Sequence, residues 1–169
     1  MKRIIAIDPG KVGFISVLDE EGWRFLSLAE SDDRTIADFL RENYREDSVA
    51  VMEEVHSIFG ASAGSTFSFG SIYGMLYGML IAYGYSYHLV QPKTWQSEIW
   101  DNKDKVFLPP KINKNGKTIK RINTKETSIN AAKRLFPGID FRRNNSCKKI
   151  DDNKVDSVLI LEYARRKNL

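Results

Sequence analysis

Near its amino end the chain contains the stretch Ile4-Ile5-Ala6-Ile7-Asp8-Pro9-Gly10, on which the rest of the fold depends. Its four apolar residues, most of them β-branched, predict a short strand that is buried on both faces of a sheet. Pro9 lacks the N–H that a central strand needs, so we predict that the strand ends at Asp8. A lone carboxylate at the end of a core strand is costly unless other groups compensate its charge. A metal cation bound by several acids would compensate this charge. We therefore expect further acids on neighbouring elements, which together would form a metal site.

Strand and helix patterns alternate along the remainder of the chain. They predict strands at 13–18, 23–28, 49–52 and 87–90, and helices that begin at Ser31, Ser65, Pro92, Thr124 and Asp151. Three antiparallel strands followed by alternating helices and strands predict an α/β fold with a five-stranded mixed sheet flanked by helices, which is the ribonuclease H-like arrangement. We expect one such domain over residues 1–169.

The predicted second helix, over residues 65–83, carries Gly70, Gly74 and Gly78 at intervals of four residues. This spacing leaves one face of the helix without side chains, so another backbone could approach it closely. We expect that face to pack on the sheet or on a helix of a partner chain.

Composition limits the class of protein. The 169 residues are 42% hydrophobic and 28% charged, and the single cysteine, Cys147, allows neither an internal disulfide nor a cysteine-ligated zinc site. No signal peptide is visible, and the longest apolar stretch, 72–85, is interrupted by three glycines and is shorter than the roughly 20 residues of a membrane span. These features predict a reducing, cytoplasmic setting.

Charge is distributed unevenly along the chain. Residues 1–91 carry a net charge of −6 and residues 92–169 a net charge of +10. Much of the positive charge lies in a basic insertion at 101–123, where Asn115-Gly116 between two apolar segments predicts a hairpin. This asymmetry predicts either a polyanion held beside a carboxylate cluster or a solvated lysine-rich surface.

Acids stand at the ends of three predicted elements. Asp8 ends the first strand, Glu53 or Glu54 ends the fourth, and Asp152 and Asp156 lie four residues apart at the start of the last helix. Each acid alone is typical of a turn or a helix start, but their combination at three element ends favours a metal site. Oxygen-only ligation suits Mg²⁺ or Mn²⁺, and two such ions could activate a water for attack on a phosphodiester.

Several segments resemble the RuvC-type Holliday junction resolvases, most closely those of bacteriophages and prophages. The similarity covers nearly the whole chain except 101–123, and the segments that carry it are Ile7-Asp8-Pro9-Gly10, Val51-Met52-Glu53-Glu54-Val55-His56, Thr66-Phe67-Ser68-Phe69-Gly70, Val90-Gln91-Pro92-Lys93-Thr94-Trp95, Ala131-Ala132-Lys133-Arg134-Leu135-Phe136-Pro137 and Asp152-Asn153-Lys154-Val155-Asp156-Ser157-Val158-Leu159-Ile160.

The resemblance implies four catalytic, metal-binding acids: Asp8, Glu53, Asp152 and Asp156. Glu53 rather than Glu54 matches the family's acid, which stands two residues before Val-His. In the bacterial enzymes the last two acids are three apart, which would place Asn153 at the third position. The spacing of four seen here is that of the phage-type members, and Asp151 is the alternative third ligand.

The resemblance also implies a Mg²⁺-dependent (or Mn²⁺-dependent) hydrolase with about two ions per site, cutting four-way junctions and other branched DNA as a homodimer in a bacterial or phage-infected cytoplasm. The alternatives are a nuclease for RNA–DNA hybrids and a junction-binding protein that does not cleave. A sugar-kinase or actin-like domain also begins with a strand, an Asp and a Gly, but it needs two such domains. The DNA contacts we expect are Phe59 (a wedge in the DNA, or else an anchor of its loop), Lys93, Lys114, Lys117, Lys120, Arg121, Arg142, Arg143, Lys148 and Lys149.

Overall fold

A computed structural model describes residues 2–54, 62–112 and 116–169 of the protein. Its main sheet has five strands in the order β3-β2-β1-β4-β5. Strand β1 pairs antiparallel with β2 and parallel with β4, so it lies at the centre of the sheet. The predicted five-stranded mixed sheet is therefore confirmed. The strands are β1 Ile4–Asp8, β2 Phe14–Asp19, β3 Gly22–Ser27, β4 Val49–Glu53 and β5 Ser86–Val90.

Helices cover both faces of this sheet, and a second, two-stranded sheet lies apart from it. The helices are α1 Asp33–Glu42, α2 Ala63–Ala82, α3 Pro92–Ile99, α4 Thr124–Leu135 and α5 Asp152–Lys167, with short 3-10 turns at Leu28–Glu30 and Asn102–Asp104, and the second sheet consists of β6 Phe107–Ile112 and β7 Thr118–Ile122. No helix in the described ranges is long and apolar enough to cross a membrane.

Two helices have an N-cap one residue away from the cap that the sequence predicts, which is Ser31 for α1 and Thr124 for α4. The side chain of Asp32, not Ser31, accepts the hydrogen bond from the amide of Thr35 and so caps α1. Asn123, not Thr124, caps α4 by accepting from the amide of Glu126. In both places two adjacent polar residues can cap a helix, and only the backbone geometry selects one of them.

The core has two layers, one on each face of the sheet. Side chains alternate along β1, so Ile5 and Ile7 pack against α1 and α2 while Ile4 and Ala6 pack against α5. All four residues are buried. This confirms the prediction of a strand buried on both faces, and it places Asp8 directly after a fully buried segment of the protein.

The glycine face of α2 does not pack on the sheet, so that part of the prediction is wrong. A Cβ atom at Gly70, Gly74 or Gly78 would meet nothing within 4 Å. The helix packs on the sheet through the fully buried Leu76 and Leu80 instead. Large side chains bury more apolar area there than glycines would, and so they decide which face of α2 points inward.

The basic insertion forms the predicted hairpin. Gly116, just before β7, adopts a positive φ of 72°, a conformation that glycine tolerates, while Asn115 lies outside the described residues. The register shifts between Leu108 and Lys111, so that Pro109 and Pro110 together oppose one residue of β7. A bulge accommodates two prolines because they have no N–H to donate to the ladder.

Candidate active site

The parallel pairing of β1 with β4 places two acids side by side. Ile7 pairs with Met52, and Asp8 and Glu53 are the next residues of the two strands. Both are half-buried at the same edge of the sheet. The acids that end the first and fourth strands therefore lie close together, as predicted, because these strands are neighbours in the sheet.

Gly13 makes room for the backbone of Asp8. A Cβ atom at Gly13 would stand only 2.0 Å from the carbonyl oxygen of Asp8, and no Cβ atom can lie so close to a backbone atom unless the backbone moves. The amide of Gly13 donates to the carbonyl of Gly10 at 3.0 Å, which closes the turn between β1 and β2. Any larger residue at position 13 would displace the acid at the end of β1.

Helix α3 holds the carboxylate of Glu53. Nε1 of the fully buried Trp95 donates a 2.8 Å hydrogen bond to Oε1 of Glu53. Burial raises the pKa of Glu53, and the bond from Trp95 partly offsets that rise. The neighbouring acid Glu54 acts elsewhere, since its charge raises the pKa of Tyr73 on α2 after the larger effect of burial. Glu53 is thus the acid of this pair whose carboxylate is held beside α3.

Helix α5 contributes Asp156 from its second turn. Burial, opposed by a hydrogen bond with Ser128 and reinforced by the charges of Glu53 and Asp152, raises the pKa of Asp156 to about 7. Its Oδ1 atom is buried and has no hydrogen-bond partner among the described residues. A buried carboxylate oxygen without a partner is rare, because its desolvation is left uncompensated.

The charges of the other acids also act on Asp8. Burial raises its pKa well above the usual range, and Asp156, Glu53 and Asp152 raise it further. The structure therefore brings the four predicted acids within electrostatic reach of one another. Such mutual repulsion favours either protons or cations at the site.

Asp151 and Asp152 have different partners, although they are adjacent. The side chain of Asp151 caps α5 by accepting from the amides of Asn153 and Lys154, and it forms an ion pair with Arg143 at 2.6 Å. Burial raises the pKa of Asp151, but the bond from Arg143 and the other hydrogen bonds bring it below its ordinary value. Asp152 forms an ion pair with Lys125 on α4 at 2.5 Å.

The carboxylates approach one another without forming a complete coordination site. Across residues 2–54, 62–112 and 116–169, no three His, Cys, Asp or Glu side chains are close enough to hold one metal ion. The interactions with Trp95, Ser128 and Lys125 draw the carboxylates of Glu53, Asp156 and Asp152 toward separate partners.

A basic cleft of about 520 Å³ adjoins these acids. It lies between the β1–β2 turn, the segment 143–150 and the start of α5. Arg143 crosses it by donating to the carbonyl of Val12 at 3.2 Å. The side chains that line it include Val12, Lys125, Arg143, Cys147, Lys148, Lys149 and Asp152.

The predicted DNA-contact residues fall into three groups. Two are already engaged, because Arg142 pairs with Asp140 and Arg143 with Asp151. Others are exposed, namely Lys93 on α3, Lys117, Lys120 and Arg121 in the hairpin, and Lys148 and Lys149 at the cleft. Phe59, Lys114 and the nearby His56 lie outside the described residues.

Three polar residues beside the acids were not predicted from the sequence: Trp95, Lys125 and Ser128. Trp95 follows the strand that pairs with β4, with Val90 opposite Glu53, so its helix begins next to the acid. This position of Trp95, just after the strand beside β4, could have indicated its contact with Glu53. Lys125 and Ser128 carry no comparable signal, since they reach α5 only through the packing of α4 on it.

Comparison with solved structures shows the fold. The structure titled T. thermophilus RuvC in complex with Holliday junction substrate matches with a TM-score of 0.53 at 10% sequence identity, over 99% of this chain and 96% of that chain. A structure titled Thermus thermophilus RuvC structure matches with a TM-score of 0.56 at 12% identity, over 98% and 96%. No protein-family model and no curated protein matches the sequence. The chain therefore has a ribonuclease H-like fold of the RuvC type.

Proposed function

We propose that this protein is a divalent-metal-dependent endonuclease that cuts branched DNA, with four-way junctions as its principal substrate. The observation that carries the proposal is the convergence of Asp8, Glu53 and Asp156 at one edge of the sheet. Burial, together with mutual repulsion at Asp8 and Asp156, raises the pKa of these carboxyl groups. Several groups with such shifts, gathered beside a cleft, are typical of functional sites.

The residues present suit a hard divalent cation. The donors are carboxylate oxygens, and the buried Oδ1 of Asp156 lacks a partner among the described residues. We assign Asp8, Glu53, Asp152 and Asp156 as the groups that would hold Mg²⁺ or Mn²⁺. Asp151 is less suited because it already caps α5 and pairs with Arg143. Two bound ions would supply an activated water and stabilise the charge on the leaving oxygen of a phosphodiester.

The chain's own residues prepare this site. Trp95 orients Glu53, and Ser128 holds Asp156. Lys125 neutralises Asp152 and would have to release it when a cation takes its place. Asp151 and Arg143 fix the start of α5, so that Asp152 and Asp156 face the ends of β1 and β4.

Branched DNA is supported by charge and by the structural neighbour. The cleft beside the acids carries Lys125, Lys148 and Lys149, and the hairpin adds further cations. Such surfaces bind phosphates with strong dependence on salt. The neighbour with 10% identity was solved with a Holliday junction substrate. We further propose Phe59 as a wedge in the branch and Lys93 as a phosphate contact.

A homodimer would supply the two sites that paired cuts in a junction require. The outward face of α2 supports this proposal. Phe67 is 78% exposed and Ile81 is 54% exposed, and Gly70, Gly74 and Gly78 between them leave open space. Large apolar side chains beside a smooth glycine surface fit the close approach of a second helix.

The proposal is tested by cleavage of labelled four-way, Y-shaped, linear duplex and RNA–DNA hybrid substrates with Mg²⁺ and with Mn²⁺. We expect paired cuts in the four-way junction, slower cutting of the Y-shaped DNA, and none of the linear duplex. We expect Asp8→Asn and Asp156→Asn to abolish cleavage and to retain junction binding, since phosphate contacts from the basic surfaces remain.

The other outcomes identify the alternatives. Preferential cutting of the hybrid would assign a ribonuclease H-type activity instead. Tight junction binding without cleavage in either metal would identify a binding protein and contradict the proposal. Cleavage by Asp8→Asn or Asp156→Asn at a near wild-type rate would remove that residue from the site.

A further inference from the structure

The β6–β7 hairpin exposes four large apolar side chains to solvent. Phe107, Ile112, Ile119 and Ile122 are 58%, 68%, 44% and 36% exposed. An isolated two-stranded sheet is only marginally stable in water, and a contiguous exposed apolar patch commonly marks an interaction site. The four residues are therefore better explained by a surface that covers them in the functional complex.

The register of the hairpin places apolar and cationic side chains on the same face. Phe107 pairs with Ile122, and Ile112 pairs with Thr118. Lys120 lies between these two pairs on β7, and because side chains alternate along a strand it shares their face. Phe107, Pro110 and Lys120 are among the residues that line a groove of about 320 Å³ on the hairpin.

The charge of this segment indicates the occupant. From Lys105 to Lys125 the sequence has seven Lys or Arg residues and no Asp or Glu. Arg121 and Lys111 lie on the face opposite to that of Lys120, beside Leu108 and Ile119. The hairpin thus has cations on both faces, with apolar side chains beside them. Duplex DNA is complementary to such a ribbon, because it offers anionic phosphates to the cations and the bases to the apolar side chains.

The base of the hairpin is fixed to the helix that contacts the carboxylates. The amide of Asn123 donates to the carbonyl of Val106 at 2.8 Å, and the amide of Val106 donates to Oγ1 of Thr127 at 3.1 Å. Thr127 lies between Lys125, which pairs with Asp152, and Ser128, which bonds Asp156. The hairpin thus leaves the body of the protein within one helical turn of the residues that contact the candidate active site.

A buried ion pair strengthens this attachment. Asp104 is 2% exposed, and its carboxylate accepts a hydrogen bond from the amide of Asp101, the N-cap of the 3-10 turn, at 2.8 Å and another from Nε of Arg134 at 2.9 Å. Nδ2 of Asn130 donates to the carbonyl of Asp104 at 3.1 Å. The 3-10 turn that precedes the hairpin is therefore held to α4 by side chains on successive turns of that helix.

We propose that the β6–β7 hairpin is an arm that enters a groove of the DNA, with its cations on the phosphates and Phe107, Ile112 and Ile122 against the bases. A two-stranded ribbon fits the major groove, and apolar side chains can also separate base steps from the minor groove. The inference rests on the proposed function, because it identifies how the DNA beside the carboxylates is held.

The test measures binding of 2-aminopurine-labelled four-way junctions and linear duplexes in EDTA, so that cleavage does not interfere. With the wild type we expect fluorescence to rise at labels next to the bound arm, as bases unstack. Phe107→Ser with Ile112→Ser should abolish this rise and weaken binding at least about fivefold. Lys120→Ser with Arg121→Ser should lower the slope of log K against log salt by about 1.8.

Matched controls lie elsewhere on the surface. Leu89→Ser removes an apolar side chain that is 37% exposed on β5, and Arg34→Ser with Arg41→Ser removes two exposed cations from α1. These controls should bind as the wild type does, and every variant should keep its melting temperature within about 3 °C. Unchanged affinity, fluorescence and salt slope in the hairpin variants would overturn the proposal, as would a change in oligomeric state in place of DNA binding.

Cleavage of the same junctions with Mg²⁺ separates this inference from the proposed function. Hairpin-dependent binding without cleavage would support the arm and contradict the nuclease. Junction cleavage by a protein whose hairpin variants bind and cut as the wild type does would support the nuclease and remove the arm.

Discussion

The indole N–H of Trp95 donates a 2.8 Å hydrogen bond to Oε1 of Glu53, across 42 positions of sequence. Trp95 is fully buried, and Glu53 stands at the end of β4. The bond engages Oε1 and not Oε2 of Glu53, and it restricts the rotation of the carboxylate. In the proposed metal site Trp95 would position the ligand Glu53, and the loss of such a residue commonly changes metal affinity or activity by about 10–100-fold.

Trp95→Phe should therefore reduce cleavage about tenfold or more and raise the Mg²⁺ concentration needed for half-maximal rate. The variant removes the donor while it keeps an aromatic ring in the core. Trp100→Phe is the matched control, since Nε1 of Trp100 is buried and has no partner among the described residues. Equal loss of activity and equal Mg²⁺ dependence in the two variants would show that Trp95 acts through packing alone.

The pKa of Asp156 predicts how folding stability depends on pH in EDTA. Its pKa is about 7 in the folded protein, whereas an unfolded aspartate titrates near 4. Between these values the folded state holds a proton that the unfolded state has released, so stability falls as pH rises from about 4 to about 7. The raised pKa of Asp8 acts in the same direction.

We expect the wild-type melting temperature to be lower at pH 8 than at pH 5.5, and Asp156→Asn to reduce this difference. At pH 8 the variant should melt about 3 °C or more above the wild type, since 1 kcal/mol shifts a chain of this size by roughly 2–4 °C. Asp19 does not contribute in this range, because burial raises its pKa but the bonds from Arg24 and Arg3 outweigh that effect and hold it below its ordinary value. A wild-type melting temperature that is flat or rises over this interval would contradict the raised pKa.

Cys147 provides a direct report on the basic cleft. It is the single cysteine of the chain, and it lines the cleft beside Lys148 and Lys149. Saturating junction DNA in EDTA should slow its alkylation by N-ethylmaleimide about fivefold or more, and high salt should reverse the protection because the contacts are electrostatic. The measurement is the alkylation rate by mass spectrometry.

A thiol outside the cleft serves as the control. Cys147→Ser with Glu46→Cys moves it to the exposed turn before β4, at the edge of the sheet opposite the acids. DNA should leave its alkylation rate unchanged. If Cys147 reacts equally fast with and without bound junction DNA, the cleft does not hold the DNA.

Gly74→Leu tests the outward face of α2. Within one chain the new side chain meets no neighbour within 4 Å of its Cβ, and leucine favours a helix over glycine by about 0.8 kcal/mol. The fold should therefore remain intact, while a second helix could no longer approach. We expect a change from dimer to monomer by light scattering.

Gly138→Leu adds the same side chain at another open position, after α4, and should leave the dimer intact. An unchanged mass and melting temperature of Gly74→Leu would show that the glycine face is simply exposed to solvent.

Local patterns in the sequence were sufficient for most of the fold. The apolar run before Asp8, the alternation in the next two strands and the Asn115-Gly116 sequence each report a short-range preference of the backbone. Since β1 and β4 are parallel neighbours in this arrangement, the acids that end them could be placed at one edge before any side-chain contact was known.

Which groups hold those acids was decided by tertiary structure. Trp95 and Glu53 are 42 residues apart, and Asp156 reaches Ser128 only because α4 packs on α5. Periodicity shows which side of an element is buried, but it does not show which side chain on another element lies opposite. The separate partners of Asp151 and Asp152, two adjacent acids of one type, have the same origin.

The glycines of α2 also separate what the sequence determined from what the tertiary structure decided. Their spacing of four determined that one face of the helix would be free of side chains. Whether that face meets the sheet depended on the competition with Leu76 and Leu80, which bury more apolar area and turn the glycines outward. Burial is decided by the sum of contacts over the whole core, and no segment of the sequence contains that sum.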